Sequence, residues 1–136
     1  MRRMLTLLAV TSTSTLCGFL ALTGVADATA PWNASTPGTS ITADPYHHLT
    51  DGEMIQVSGA GFLANDTLSV FECSFQTRLC TLLATDTTDA TGSFGPVSVT
   101  VSAQVQGHTC SGAHDCIVEG RSSDLQTFAN TPISFR

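Results

Sequence analysis

Apolar and polar residues alternate along several short stretches of this chain. Ile55 and Val57 alternate with polar residues, and the clearest alternation runs from Val97 through Val99 to Val101. A period of two is typical of a strand with one buried face and one exposed face. No helical period appears after residue 28. The pattern therefore predicts an all-β fold in which seven short strands, separated by turns, pack as a sandwich.

The alternation also predicts which side chains form the core. The expected members are Ile55, Val57, Leu68, Val70, Val97, Val99, Val101 and Ile133. Gly59 and Gly61 follow the strand of Val57, and they remove side chains where two backbones pass closely or a bulge forms. Pro132 lies inside the last predicted strand, so we expect a bulge or a sheet edge there.

The N-terminal part of the chain has the features of an export signal. Arg2 and Arg3 precede an apolar stretch, and Ala26-Asp27-Ala28 forms a small-x-small cleavage site. A polar run at residues 11–15 interrupts the apolar stretch, which argues against a membrane anchor. We therefore expect a secreted protein that keeps no integral membrane segment after cleavage.

Three regions follow from this interpretation. Residues 1–28 are expected to be the signal peptide. Residues 29–40 are rich in Pro, Ser, Thr and Ala, which predicts a disordered tail. Residues 41–136 are expected to form the β-sandwich domain.

The charge of the chain limits its partners. It has 5 basic and 11 acidic residues, no lysine, and a formal net charge of −6. An acidic surface repels phosphate backbones, so we do not expect the protein itself to bind nucleic acid.

Export leaves an even number of cysteines, since Cys17 lies in the signal segment and Cys73, Cys80, Cys110 and Cys116 remain. An even number in an exported chain implies two disulfides. Three connectivities are possible, and the local pairs are favoured because each can clip a loop between adjacent strands. The spacing of histidines beside the last two cysteines could also suggest zinc, but exported cysteine pairs normally oxidise, so we expect no metal site.

One predicted strand, at residues 67–73, is apolar on both faces. Leu68 and Val70 point to one side and can pack into the core. Phe71 and Cys73 point to the other side, because side chains alternate along a strand. The second face is either a ligand-binding cleft or a surface that its own loops cover.

If this face is a cleft, its lining can be named. The expected lining is Phe71, a Cys73–Cys80 disulfide, Phe75 and Leu83, with Ser69, Ser122 and Ser123 as polar groups. Ligand pockets are commonly concave and apolar, with a few polar groups that orient the ligand.

Catalytic motifs are missing from the sequence. It has no Gly-x-Ser-x-Gly nucleophile motif, no pair of carboxylates at a catalytic spacing and no glycine-rich phosphate loop before a helix. We therefore expect a protein that is not an enzyme and that has no catalytic residue or cofactor.

A series of short motifs resembles the neocarzinostatin family of enediyne apoproteins. In order, they are Leu49-Thr50-Asp51-Gly52, Val57-x-Gly59-Ala60-Gly61, Cys73, Asp89-Ala90-Thr91-Gly92-Ser93, the pair Cys110 and Cys116, and Ile133-Ser134-Phe135. The resemblance implies an immunoglobulin-like sandwich of seven strands, secreted by an actinomycete, with cysteines paired locally. It also implies a cleft that holds an unstable, apolar, DNA-cleaving chromophore without a covalent bond.

Two functions are compatible with these features. The first is a monomeric carrier of a small apolar ligand, in which antibiotic activity and any contact with DNA would come from the ligand alone. The second is an extracellular interaction module that carries no chromophore. Members that carry a chromophore generally have glycine where Phe71 stands, so the resemblance implies that Phe71 fills part of the cleft floor, and a smaller ligand fits that expectation.

Overall fold

The computed structural model describes residues 34–136, and all regular structure among them is β. The strands are β1 (Ser40–Asp44), β2 (Met54–Ala60), β3 (Thr67–Ser74), β4 (Cys80–Thr87), β5 (Phe94–Thr100), β6 (Gln104–Val105), β7 (His108–Thr109), β8 (Cys116–Ser122) and β9 (Phe128–Ile133). No described residue belongs to a helix long and apolar enough to cross a membrane. The predicted signal peptide lies outside the described residues.

The strands form two antiparallel sheets and a hairpin. The three-stranded sheet has the order β1-β2-β5, and the four-stranded sheet has the order β4-β3-β8-β9. These seven strands form the sandwich, which confirms the predicted fold class. The pair β6-β7 is a separate hairpin between β5 and β8. The pattern did not predict this hairpin, because strands of two residues are too short to show a period.

The core lies between the two sheets, as the alternation predicts. The core cluster comprises Ile41, Ala43, Leu49, Ile55, Val57, Phe62, Leu68, Val70, Phe94, Val99, Val101, Val105, Cys110, Cys116, Val118, Ala129 and Ile133. Every predicted core residue is buried there except Val97, which is half-buried and packs against the cluster.

The two glycines after β2 lie where the backbone is crowded. The pairing of β2 with β5 shifts register between Val57 and Gly59. A Cβ atom on Gly59 would lie 2.5 Å from the carbonyl oxygen of Ser40, and Gly61 has a φ of +82°. The expected bulge and close backbone approach are thus confirmed.

β9 is an edge strand, as Pro132 predicts, and the segment before β1 is bonded to this edge. The Thr36 amide donates to the carbonyl of Phe128 at 2.8 Å, and the Phe128 amide donates to the Thr36 hydroxyl at 3.0 Å. The amide of Asn130 donates to the hydroxyl of Ser35 at 3.2 Å.

The predicted disordered tail is therefore corrected for residues 34–40. Composition suggested disorder, but these hydroxyls supply hydrogen bonds that the edge strand otherwise lacks, and Ser40 begins β1. Residues 29–33 lie outside the described part of the chain.

Both local disulfides are present, which confirms the favoured connectivity. Cys73–Cys80 joins the end of β3 to the start of β4. Cys110–Cys116 joins the segment after β7 to β8. Each closes a short loop, and the chain-entropy relation assigns about 2–2.5 kcal/mol of stabilisation to a loop of this length.

Candidate functional site

The four-stranded sheet has one face turned away from the core, which we call the outer face. Leu68 and Val70 of β3 belong to the core cluster. Phe71 and Cys73 have the opposite parity and therefore lie on the outer face, which confirms the prediction that β3 presents two different faces. Paired residues project to the same side of a sheet, so the partners of Phe71 and Cys73 on neighbouring strands share this face.

The register identifies those partners. On β8, Arg121 lies opposite Ser69, Glu119 opposite Phe71, and Ile117 opposite Cys73. On β9, Phe128 lies opposite Arg121 and Asn130 opposite Glu119. The outer face therefore carries aromatic, charged and polar side chains in its centre.

One end of the outer face is closed. Cys73 and Ile117 expose 0% and 2% of their surface, yet neither belongs to the core cluster. Phe75 follows β3, and its amide donates to the carbonyl of Asp115 at 2.7 Å. Phe75 itself is 39% exposed. The disulfide between Cys73 and half-buried Cys80 lies at this end. The predicted residues are therefore arranged along β3, with Phe71 at the centre of the outer face and the disulfide and Phe75 at its closed end.

Leu83 does not hold the position that the sequence predicts. It is half-buried and packs against the core cluster. The pairing of β3 with β4 shifts register between Val70 and Phe71, and this places Leu82 opposite Phe71. Leu82 is 54% exposed. Because of this irregularity, Leu82 lies opposite Phe71 and Leu83 packs against the core. Strict alternation along β4 does not predict this arrangement.

Ser122 also lies on the other side of the sheet. It pairs with Leu68, a core residue, and it is buried, where its hydroxyl accepts a hydrogen bond from the Leu63 amide at 3.5 Å. Ser123 is exposed and donates to Asp66 at 2.6 Å. Of the three predicted serines, only half-buried Ser69 lies on the outer face.

The centre of the outer face contains a charged pair that the sequence analysis missed. The guanidinium carbon of Arg121 lies 5.5 Å from the centroid of the Phe71 ring, within cation–π range. The Nη2 group of Arg121 donates to Oε1 of Glu119. Arg121 exposes 31% of its side chain, whereas Glu119 exposes 3%. The sequence did contain a signal for this pair. Glu119 and Arg121 alternate with Val118 and Gly120, and this alternation places both charged side chains on the same face of β8.

A second buried carboxylate lies on the core side of β3. Glu72 is 1% exposed, and the amide of Ser102 donates to its two oxygens at 3.0 and 3.3 Å. Burial raises the pKa of Glu72 to about 7; the Ser102 hydrogen bond opposes the rise and the nearby Asp51 carboxylate adds to it.

Asp51 binds the same segment as Glu72. Its Oδ1 accepts from the Ser102 hydroxyl at 3.1 Å and from the Ala103 amide at 2.9 Å. Two carboxylates thus hold the start of the β6-β7 hairpin.

Two pockets lie away from the predicted site. One of about 350 Å³ is lined by Asp86, Thr87, Asp89, Ser93, Phe94, Gly95 and Pro96. Another of about 270 Å³ is lined by Tyr46, His47, Ala113, His114, Pro132, Ile133 and Ser134. Within residues 34–136, no three His, Cys, Asp or Glu side chains come together as a metal-binding group.

Comparisons with known proteins agree with this architecture. The sequence profile of the Neocarzinostatin family matches residues 41–135. Macromomycin shares 18% identity, with a TM-score of 0.59 over 72% of this chain and 99% of its own. Apokedarcidin, whose solution conformation is known, shares 19% identity, with a TM-score of 0.52 over 73% of this chain and 99% of its own. No curated protein sequence matches the chain. At these identities the two structures show a common fold.

Proposed function

Because the chain belongs to the neocarzinostatin family, we propose that it is a secreted carrier that binds and protects a small apolar molecule on its outer face. The family implies an enediyne-type chromophore as the ligand class. In that case the protein protects the ligand from degradation, and any antibacterial or DNA-damaging activity comes from the ligand. A carrier of this kind needs no catalytic residue.

The observation that carries the proposal is the position of Phe71. It lies on the central strand β3 and faces away from the core, and it remains half-buried. Its neighbour across β4, Leu82, is 54% exposed. Apolar side chains clustered on one exposed sheet face are typical of a binding surface.

The same residue limits the size of the ligand. A phenyl ring at position 71, covered on one side by Arg121, occupies space that a glycine would leave open. We therefore expect a ligand smaller than the chromophores that the family resemblance implies, held without a covalent bond.

The disulfides and the charge support extracellular use. Structural disulfides persist in oxidising compartments, and this chain has two. The excess of acidic residues disfavours direct contact with DNA, so any such contact would pass through the ligand. We propose a signal peptide at residues 1–28 on the sequence features alone.

One observation favours a second candidate, an extracellular interaction module. Phe75, Leu79 and Leu82 are all at least 39% exposed, and all three lie at or next to the Cys73–Cys80 loop. Clustered exposed apolar residues are also typical of protein-binding surfaces.

Native mass spectrometry of the protein secreted by its own host tests the proposal. A carrier is expected to show an added mass that organic extraction removes, and the extracted molecule should bind again to the apoprotein. An unliganded mass in producing cultures, together with no uptake of apolar probes by the apoprotein, would favour the interaction module.

A further inference from the structure

Arg121 and Glu119 are the charged residues among the strand positions of the outer face that the structure describes. A cleft that took only apolar molecules would gain nothing from a charged pair at its centre. Burying a carboxylate such as Glu119 is costly unless a partner compensates it, and Arg121 is that partner. A polar contact between this charged pair and a ligand would account for its position.

The geometry gives the guanidinium group a defined orientation. The guanidinium carbon lies over the ring of Phe71, 5.5 Å from the ring centroid. One nitrogen, Nη2, is bonded to Glu119. A planar group held by a ring on one side and a carboxylate at one edge cannot turn freely.

Part of Arg121 remains available. Its side chain is 31% exposed, and among residues 34–136 its guanidinium group donates to Glu119 through Nη2. A guanidinium group carries five N–H donors, so several are left for a ligand. The face opposite Phe71 can stack with a second aromatic ring.

We propose that Arg121, oriented by Phe71 and Glu119, is a stacking shelf that selects planar aromatic ligands with a hydrogen-bond-accepting oxygen at the ring edge. The ring stacks on the guanidinium face, and the oxygen accepts a free N–H of the same group. This inference rests on the proposed carrier function and narrows its ligand class. Glu119 is a positioning residue, because it acts on the ligand through Arg121.

Three small molecules test the stacking contact and the hydrogen bond separately. Anthracene-9-carboxylate has a planar ring and an acceptor oxygen, 9-methylanthracene has the ring alone, and adamantane-1-carboxylate has the acceptor on a saturated cage. Calorimetric titration of the full, disulfide-bonded protein is expected to give the first probe at least about tenfold higher affinity than either of the others, since each lacks one of the two contacts.

Variants at Arg121 assign the preference to the guanidinium group. Arg121→Met keeps an apolar chain of similar length and is expected to reduce the affinity for anthracene-9-carboxylate to that for 9-methylanthracene. Arg121→Lys keeps the charge but has no planar face, so most of the preference is expected to disappear there too. Glu119→Gln should weaken the preference without removing it. Arg136→Met removes the same charge from an exposed C-terminal residue and should leave the preference unchanged.

The outcomes separate this inference from the carrier function. If the wild type binds the probes but Arg121→Met leaves their relative affinities unchanged, the shelf is wrong and the carrier function stands. If the wild type binds none of the probes, the shelf is wrong, and native mass spectrometry of the secreted protein decides the carrier function separately. Should Arg121→Met fail to fold in a thermal melt, Arg121→Lys decides, because an unchanged preference in that variant also overturns the shelf.

Discussion

Phe71 on β3 and Glu119 on β8 occupy directly opposed positions on the outer face, and Arg121 contacts both. An aromatic ring, a guanidinium group and a carboxylate thus fill the centre of a sheet face where a carrier would need room. This arrangement makes position 71 the most informative site for mutation.

Replacing Phe71 with glycine is expected to enlarge the site and to increase uptake of an apolar fluorescent probe. Stability should fall by about 1–2 kcal/mol, because a half-buried phenyl is lost and glycine costs backbone entropy in a strand. Probe titration and denaturant melts measure the two effects. Phe71→Leu is the matched control, since it keeps most of the volume. A loss of several kcal/mol without added probe binding would show that the ring belongs to a self-filled surface.

Val99 and Val97 provide a paired test of the core on one strand. Val99 is 3% exposed, whereas Val97 is half-buried. Val99→Ala should lower the free energy of unfolding by about 1–3 kcal/mol, and Val97→Ala should cost clearly less, because less area and a smaller cavity are involved. Urea denaturation of both variants measures the difference. Equal losses, or a change at Val99 within about 0.3 kcal/mol, would contradict the assigned burial.

Glu72 should make stability depend on pH near neutrality. Its pKa is raised from 4.5 to about 7 in the folded protein, so the folded state binds more protons than the unfolded state between these values. The stabilisation that protonated Glu72 contributes to the folded state is therefore complete at low pH, and it is lost as pH rises towards and through 7. Between about pH 5 and about pH 8, the wild type is expected to lose about 1–3 kcal/mol relative to Glu72→Gln.

Glu53→Gln serves as the control for this pH effect. Hydrogen bonds from Thr50 lower the pKa of Glu53, so its contribution is lost only when pH falls through that lowered pKa. Parallel melts of both variants across pH check the assignment. A wild-type profile that matches Glu72→Gln throughout would mean that Glu72 titrates normally.

The two disulfides should differ in what their removal costs. Cys110 and Cys116 belong to the core cluster, whereas Cys73 and Cys80 do not. Replacing the first pair with serine adds buried hydroxyls to the lost loop constraint, for a total of about 3–5 kcal/mol. In the second pair Cys73 is fully buried but Cys80 is half-buried, so its replacement adds one buried hydroxyl rather than two and should cost less, about 2–4 kcal/mol. Thermal melts of the two double variants would contradict this ranking if the costs came out reversed.

Parity was sufficient to predict much of this fold. The core face of β3, the buried Val99 of β5 and the edge position of Pro132 all follow from the sequence pattern. Parity failed where the pairing is irregular. The register shift beside Phe71 exchanged Leu82 for Leu83, and no local sequence signal marks that shift.

The charged residues were harder to predict than the apolar ones. Glu72 is buried because the amide of Ser102, distant in sequence, reaches it, and Glu119 is buried beside Arg121. Such pairing depends on tertiary contacts, since an isolated Glu in a strand is ordinarily expected to face water. Ser122 was misplaced for a simpler reason: it was chosen as a polar group without reference to its parity with Val118.

The short N-terminal segment that runs along β9 also bears on self-association. Thr36 occupies both the amide and the carbonyl of Phe128, and Ser35 occupies the amide of Asn130, so these groups are closed to an incoming strand. Free sheet edges are the templates on which chains add to one another. Proteolytic trimming beyond Thr36 would free the amides of Phe128 and Asn130 while the Thr39 hydroxyl still reaches the Phe128 carbonyl at 2.8 Å. With these amides free and the core cluster intact, the trimmed protein should form strand-paired oligomers that the longer chain resists.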